Sequence, residues 1–349
     1  MVSRPWPRPF APSKLAPNPP LPRRGGLGDT TDSHSETPAM SALQRPFQQV
    51  DVFTPTPYQG NPLAVVMDGT GLSEAQMLRF ANWTNLSETA FLLPPTPEGR
   101  AAGADYRVRI FSPIDEMRFA GHPTLGSCHA WLQAGGQPRQ SGVVVQECQV
   151  GLVRIRRRDS RLFFAAPPLR RSAPSPMLLA QLAAALGLKA RDVVAAQMLD
   201  NGSPWLGLLL DSPHTVLQLK PDQLALKNLG HKVGVVGIYP REEAPALIGR
   251  SNREARAFAK SAPASAPEPH LEVRAFGAPV GILEDPVTGS LNASLAQWLI
   301  ADGYAPEEYL VSQGTCLDRA GRIHIERDAQ GQVWVGGESV TCVSGSVLL

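Results

Sequence analysis

Two stretches of this chain are one phrase written twice: His122-Pro123-Thr124-Leu125-Gly126-Ser127 and Asp285-Pro286-Val287-Thr288-Gly289-Ser290. Each runs into a segment with helical spacing, Thr124 to Ala134 and Ser290 to Ala301. The echo extends upstream, with Val108-Arg109-Ile110-Phe111 before the first copy and Val273-Arg274-Ala275-Phe276 before the second. The intervals from Phe111 to His122 and from Phe276 to Asp285 differ by two residues, a difference that a loop in a duplicated unit tolerates. A duplication restricts the fold to two similar halves. Two facing helix starts would then line a cleft with free backbone N–H groups and converging dipoles. Such a cleft suits a small anion, so the chemistry is expected between the halves.

The remaining pattern fits two copies of a strand-rich unit. Gln49 to Phe53 alternates polar and apolar, and Leu63 to Met67 is a short buried run. Glu88 to Leu93 and Tyr106 to Phe111 read as strands, and Val143 to Val145 follows the first long helix. Ser73 with Glu74 opens a helix that ends near Trp83. Leu152 to Ile155 and Arg161 to Ala165, joined by Asp159-Ser160, form a hairpin. A proline-rich joint from Pro167-Pro168 to Pro174-Ser175-Pro176 then divides the chain. Beyond it lie a helix, Met177 to Leu186, closed by Gly187, and strands at Trp205–Leu210, Val233–Ile238 and Leu271–Phe276. Ala262 to Pro269 reads as a loop, and a second hairpin, Ile323–Glu326 with Val333–Val335, closes this half.

Short spaced strands with few long helices predict an α+β fold. The expected organisation is two similar domains, residues 45–168 and 169–349, each a β-barrel wrapped around a central helix, with the last strands able to return to the first domain. Residues 1–44 stand apart as a disordered or misassigned extension, because the first 39 hold 9 of the chain's 34 prolines and no apolar signal region. That segment also carries the charge excess. Of 33 basic and 31 acidic residues, 28 and 28 remain outside it, and a neutral body argues against nucleic acid as a partner. No apolar run approaches the roughly 20 residues of a membrane span. Cys128, Cys148, Cys316 and Cys342 are scattered and the seven histidines show no metal-ligand spacing, so a cytoplasmic protein with reduced thiols and no metal is expected.

The candidate chemistry gathers at the repeated phrase. Gly126, Ser127, Gly289 and Ser290 are expected to offer N–H groups and two hydroxyls to a carboxylate, although Ser127 and Ser290 could simply cap their helices. His122 and Asp285 stand at matching places before proline, where an Asp could orient an imidazole or share its proton. Glu88 sits at the mouth of an apolar strand, and a carboxylate desolvated there becomes an acid or base near neutrality; a strand-edge Glu pointing to water is the bland alternative. Asn61, in the turn Gly60-Asn61-Pro62, has a side chain able to meet substrate, although such turns are usually structural.

Taken together, Asp51 to Val66, Asn85 to Leu92, Arg109 to Gly126, Glu284 to Ser290 and Val333 to Gly337 resemble the phenazine biosynthesis PhzF-like isomerase family. The resemblance runs from about Phe47 to the end. It implies the diaminopimelate epimerase-like fold, a site between two barrels, a homodimer, and proton transfer on a small carboxylate without metal or organic cofactor. It implies Glu88 as the proton shuttle, with His122 and Asp285 positioning the substrate's amine and hydroxyl. Asn61, Gly121, Gly126, Ser127, Gly289 and Ser290 would surround the substrate. Related epimerases use two opposed cysteines at the helix entries, and the phrase here holds none. Gln313 to Ile323 departs from the family pattern, keeping Gln313-Gly314 and Gly321-Arg322-Ile323 but not the usual Pro-Ser before Arg-Ile. Two further readings stay open: an amino-acid epimerase or racemase on the same scaffold, and a non-catalytic binder of small anions.

Overall fold

A computed structural model describes residues 43–240 and 268–349. The extension expected over residues 1–44 lies outside the described residues as far as residue 42, whereas Gln44 already pairs as the first residue of a strand, and most of the loop from Ala262 to Pro269 also lies outside them. The first half contains β1 (Gln44–Val52), β2 (Asn61–Val66), β3 (Thr89–Leu93), β4 (Tyr106–Phe111), β5 (Glu116–Met117), β6 (Val143–Cys148), β7 (Gly151–Arg158) and β8 (Arg161–Ala165). Its helices are α1 (Glu74–Thr84), α2 (Pro97–Ala101) and α3 (Gly121–Gln133). After β9 (Arg170–Ser172) come β10 (Val193–Asp200), β11 (Trp205–Leu210), β12 (Val233–Ile238), β13 (Leu271–Gly277), β14 (Ile282–Asp285), β15 (Glu308–Gln313), β16 (Gly321–Arg327), β17 (Val333–Gly337) and β18 (Ser339–Leu348). The helices here are α4 (Pro176–Leu186), α5 (Pro213–Gln218), α6 (Gln223–Leu229) and α7 (Gly289–Ala301). No described helix is long and apolar enough to cross a membrane.

Strand pairing shows the duplication directly. β1 runs antiparallel to β2, β2 parallel to β3, β3 antiparallel to β4, β4 parallel to β6, and β6, β7 and β8 continue antiparallel. From β10 the same series recurs through β11, β12, β13, β15, β16 and β17, with the same parallel and antiparallel steps. Short β5 and β14 attach to β4 and β13. The last strands of the halves, β8 and β17, pair with each other. The strand leaving each half crosses over: β9 joins β10, and β18 joins β1.

Each sheet wraps one central helix. α3 packs against β1, β2, β3, β6, β8 and β18, and α7 against β10, β16 and β17. Both helices are buried around most of their circumference and carry no charged residue except His122 and His129 when protonated, the composition of a helix enclosed by its own sheet. The strands show the complementary pattern. β4 and β16 alternate buried with partly exposed residues, as one-sided strands do. Leu125 and Cys128 of α3 and Leu291 and Trp298 of α7 meet Val50, Ile155 and Val335 in one core.

The structure moves the first helix start and, with it, the register of the repeat. α3 begins at Gly121, not Thr124, so His122 and Pro123 are helical. Proline costs nothing in a first turn, where its missing N–H has no intrahelical partner. The helices therefore align Gly121 with Gly289, and His122 corresponds to Ser290, not to Asp285. Side-chain contacts fix the same alignment. Arg109 donates to both carboxylate oxygens of Glu116 at 2.7 and 2.5 Å, and Arg274 to both of Glu284 at 2.9 and 2.8 Å. Each guanidinium lies over a phenylalanine of its own strand, Phe111 at 5.1 Å and Phe276 at 5.0 Å. The Glu-to-Gly interval is the same in both halves, 116 to 121 and 284 to 289.

Candidate active site

The parallel pair β2 and β3 brings Asn61, the first residue of β2, and Glu88, immediately before β3, to one edge of the first sheet. The preceding turn has to be tight. Gly60 donates its N–H to Asp51 Oδ2 at 2.9 Å, and a Cβ at Gly60 would lie 2.2 Å from the Val52 carbonyl oxygen. Asn61 is 1% exposed, so it is not free to meet substrate as the turn composition suggested. Its amide nitrogen donates to Asp285 Oδ1 and the Val287 carbonyl, both at 2.9 Å, and lies 3.4 Å from His122 Nδ1. Asn61 thereby ties β2 to the first turn of α3 and to the β14–α7 turn of the other half.

A second clamp sets Asp285. Its Oδ2 accepts from Thr288 Oγ1 at 2.5 Å, and Gln313, fully buried, donates to the Asp285 carbonyl at 3.1 Å and to Thr288 Oγ1 at 2.9 Å. The same Gln313 accepts from the Thr288 N–H at 3.1 Å and from Asn292 Nδ2 at 2.8 Å. One amide side chain thus satisfies the turn that enters α7.

His122 and Asp285 do converge, although not as repeat equivalents. His122 Nε2 lies 3.5 Å from Glu88 Oε2, and neither atom has a hydrogen-bond partner among the described residues. The two Asn61 amide hydrogens go to Asp285 and Val287, and the amide nitrogen also packs beside His122 Nδ1. Burial pushes the Glu88 carboxyl upward, against the opposing effects of the Ser87 hydroxyl and the Lys232 charge. Asp285 is also raised, by burial and then by Glu88's charge. Burial lowers His122 to about 4, so its imidazole is neutral near pH 7. A buried neutral histidine 3.5 Å from one carboxyl of raised pKa, with a second such carboxyl joined to it through Asn61, is an arrangement that can pass a proton.

The helix starts complete the site. Ala120 and Thr288, the N-caps of α3 and α7, make no side-chain capping bond, whereas Ser73, Thr96, Ser175, Ser212 and Asp222 cap the other described α-helices. Gly121 and Gly289 touch. A Cβ on Gly121 would lie 2.8 Å from Gly289 Cα, and one on Gly289 would lie 2.9 Å from Gly121 Cα. Above them opens a cavity of about 350 Å³, whose walls include Glu88, His122, Asp285, Gly121, Gly289 and Ser290. That is the volume of a small-molecule site.

Gly126 and Ser127 are not brought to this cavity. They lie in the second turn of α3, where their N–H groups bond within the helix; Gly126 packs on Leu63 and Val52, and Ser127 is fully buried. Neither Ser127 nor Ser290 is an N-cap. Among the wall residues that the sequence reading did not single out are Ser203, Trp205 and Lys232. Their only signal is positional, since Lys232 stands directly before an apolar strand as Glu88 does. No cysteine lines the cavity among the described residues. Cys128 is fully buried in α3, and burial pushes its thiol up. No group of three His, Cys, Asp or Glu side chains among the described residues could hold a metal ion.

Known proteins match this chain along most of its length. It is 32% identical over 313 residues to antisense-enhancing sequence 1 of Schizosaccharomyces pombe, covering 86% of this chain and 97% of that protein. It is 28% identical over 311 residues to the trans-2,3-dihydro-3-hydroxyanthranilate isomerase of Pseudomonas aeruginosa, covering 86% and 98%. A solved structure from Bacillus anthracis, a phenazine biosynthesis protein of the PhzF family, superposes with a TM-score of 0.70 at 21% identity, covering 88% of this chain and all of that one. The fold is the expected α+β, diaminopimelate epimerase-like one. The family model described as phenazine biosynthesis-like protein, PhzC-PhzF, spans residues 50–345, and the chain belongs to that family.

Proposed function

We propose that this protein is a cofactor-independent isomerase that moves a proton on a small amino- or hydroxy-carboxylic acid, with Glu88 as the acid–base group. The observation that carries the reading is the Glu88 carboxyl itself: 13% exposed, with Oε2 3.5 Å from His122 Nε2, and opening on the cavity above the two helix starts. Glu88 takes a proton from one carbon as a carboxylate and returns it to another as an acid, ending as it began. His122 and Asp285, fixed by Asn61, orient the substrate's amine and hydroxyl. The uncapped N–H groups at Gly121 and Gly289, with Ser290, receive its carboxylate. The isomerase relatives support this chemistry, and a cytoplasmic homodimer is part of the same reading.

NMR in D₂O with trans-2,3-dihydro-3-hydroxyanthranilate, comparing wild type with Glu88→Gln, tests it. The expected outcome is isomerisation by the wild type that falls roughly 10²- to 10⁴-fold in the variant. Turnover that survives the substitution removes Glu88 from its role. Exchange at the α-carbon of amino acids without isomerisation marks an epimerase, and binding without any exchange marks a binding protein.

A further inference from the structure

The duplication pairs Glu88 with a residue of opposite charge. β3 and β12 occupy the same place in their halves, each between a parallel and an antiparallel neighbour. Thr89 pairs with Phe111 and Val233 with Phe276, so the residues immediately before them, Glu88 and Lys232, are equivalent. Both line the cavity. The first half thus presents a carboxylate to the cleft and the second an ammonium.

Lys232 is held there by contacts that leave its charge unneutralised. Its Nζ donates to Ser203 Oγ at 2.5 Å and lies 4.5 Å above the Trp205 ring. Among the described residues no carboxylate comes within ion-pair distance of it. Burial lowers its pKa, against the charges of Glu88 and Asp285, which act from farther off. The indole links the ammonium to the helix starts: Lys232 stands over its face, and its Nε1–H donates to Ser290 Oγ at 3.2 Å. Asn201 fixes Ser290 from behind by donating to its carbonyl at 3.0 Å. A partly buried cation with no carboxylate in direct contact favours an arriving anion.

We infer that Lys232, seated on Trp205 beside Ser290, is a specificity-determining residue that supplies the counter-charge to the substrate carboxylate received at the helix starts. A molecule so held keeps its carboxylate at the helix starts, in the cavity that Glu88 and Lys232 both line. The site thereby requires a free acid and rejects the corresponding amide. This inference rests on the proposed site but not on its catalysis, because it concerns binding alone.

The test is equilibrium binding, by calorimetry, of 3-hydroxyanthranilate and of its carboxamide. The proteins are wild type, Lys232→Met, Lys232→Arg and Glu88→Gln, each first checked for a wild-type thermal transition. Wild type is expected to prefer the acid over the amide by roughly tenfold or more, the scale of one charge-assisted contact. Lys232→Met should cut that ratio severalfold, Lys232→Arg should retain most of it, and Glu88→Gln, which removes a negative charge from the same cavity, should not lower it. Three results overturn the inference: a preference unchanged by Lys232→Met, no saturable binding of the acid by wild type, or a Lys232→Met variant altered only in kcat and its pH profile. The last would make Lys232 an electrostatic partner of Glu88 instead. Failure of the isomerase reading alone appears as unchanged binding ratios with no turnover.

Discussion

His122 is the side chain at which the site and the stability of the fold are coupled most directly. Its folded pKa of about 4 lies below the unfolded value near 6.5. Between those values the unfolded chain binds a proton that the folded chain does not, so the stability His122 contributes is present above pH 6.5 and is lost as pH falls toward 4. Glu88 and Asp285 act with the opposite sign, because their raised folded values favour the folded state at acid pH and oppose it as pH rises through them. A His122→Gln variant separates the two. Its unfolding free energy relative to wild type should shift in the variant's favour by about 2–3 kcal/mol between pH 7 and pH 4.5, measured by denaturant titration at each pH. A pH-independent difference would mean that the imidazole is not held neutral. None of this was legible in the sequence beyond residue type. His122 and Glu88 could be named as candidates from their neighbours, but the Asn61 amide that ties Asp285 and Val287 beside the His122 ring comes from a turn whose composition gives no hint of where it points.

At the scale of elements, the repeated phrase identified both central helices and misplaced their register. Matching letters aligned His122 with Asp285, whereas the helix starts align Gly121 with Gly289, because proline is accommodated inside the first turn of α3. The repeat that the fold preserves is carried by Arg109 with Glu116 and Arg274 with Glu284, contacts across a strand and a short connection of variable length. Sequence pattern also found β4, β7, β8, β11, β12 and β13, where apolar and β-branched runs dominate, but not β18. Ser339 to Leu348 mixes serine with valine and has no buried residue, and its pairing with β1 makes it a strand. The meeting of Gly121 and Gly289 gives a prediction at this scale. A Gly289→Ala methyl would press on the backbone of the opposite helix start, which can yield only if the two helices separate. The expected cost is about 1–3 kcal/mol in a denaturant titration. Turnover should fall more than stability implies, because the uncapped N–H groups no longer converge. Wild-type melting and turnover in this variant would show that the helix starts tolerate separation.

For the molecule as a whole, the reciprocal exchange of exit strands decides whether either half can exist alone. We propose that the chain comprises two domains, residues 45–168 and 169–349, with its last strands in the first. The proposed active site draws on both, since Asn61, Glu88 and His122 come from one and Lys232, Asp285, Gly289 and Ser290 from the other. The folding unit is equally shared. β1 has β18 on one side along nearly its whole length, from Gln44 with Leu348 to Val52 with Ser339, and β8 has β17 on one side. A fragment of residues 43–168 lacks both partners, which leaves two strand edges unpaired and the cover of α3 incomplete, since that helix also packs on β18. Such a fragment should show no cooperative thermal transition by circular dichroism. Mixing it with a fragment of residues 169–349 should restore one, because the missing strands then arrive from the other chain. A cooperative transition from residues 43–168 alone would show that the first barrel closes without β17 and β18, and that the strand exchange joins two independent folding units rather than completing one.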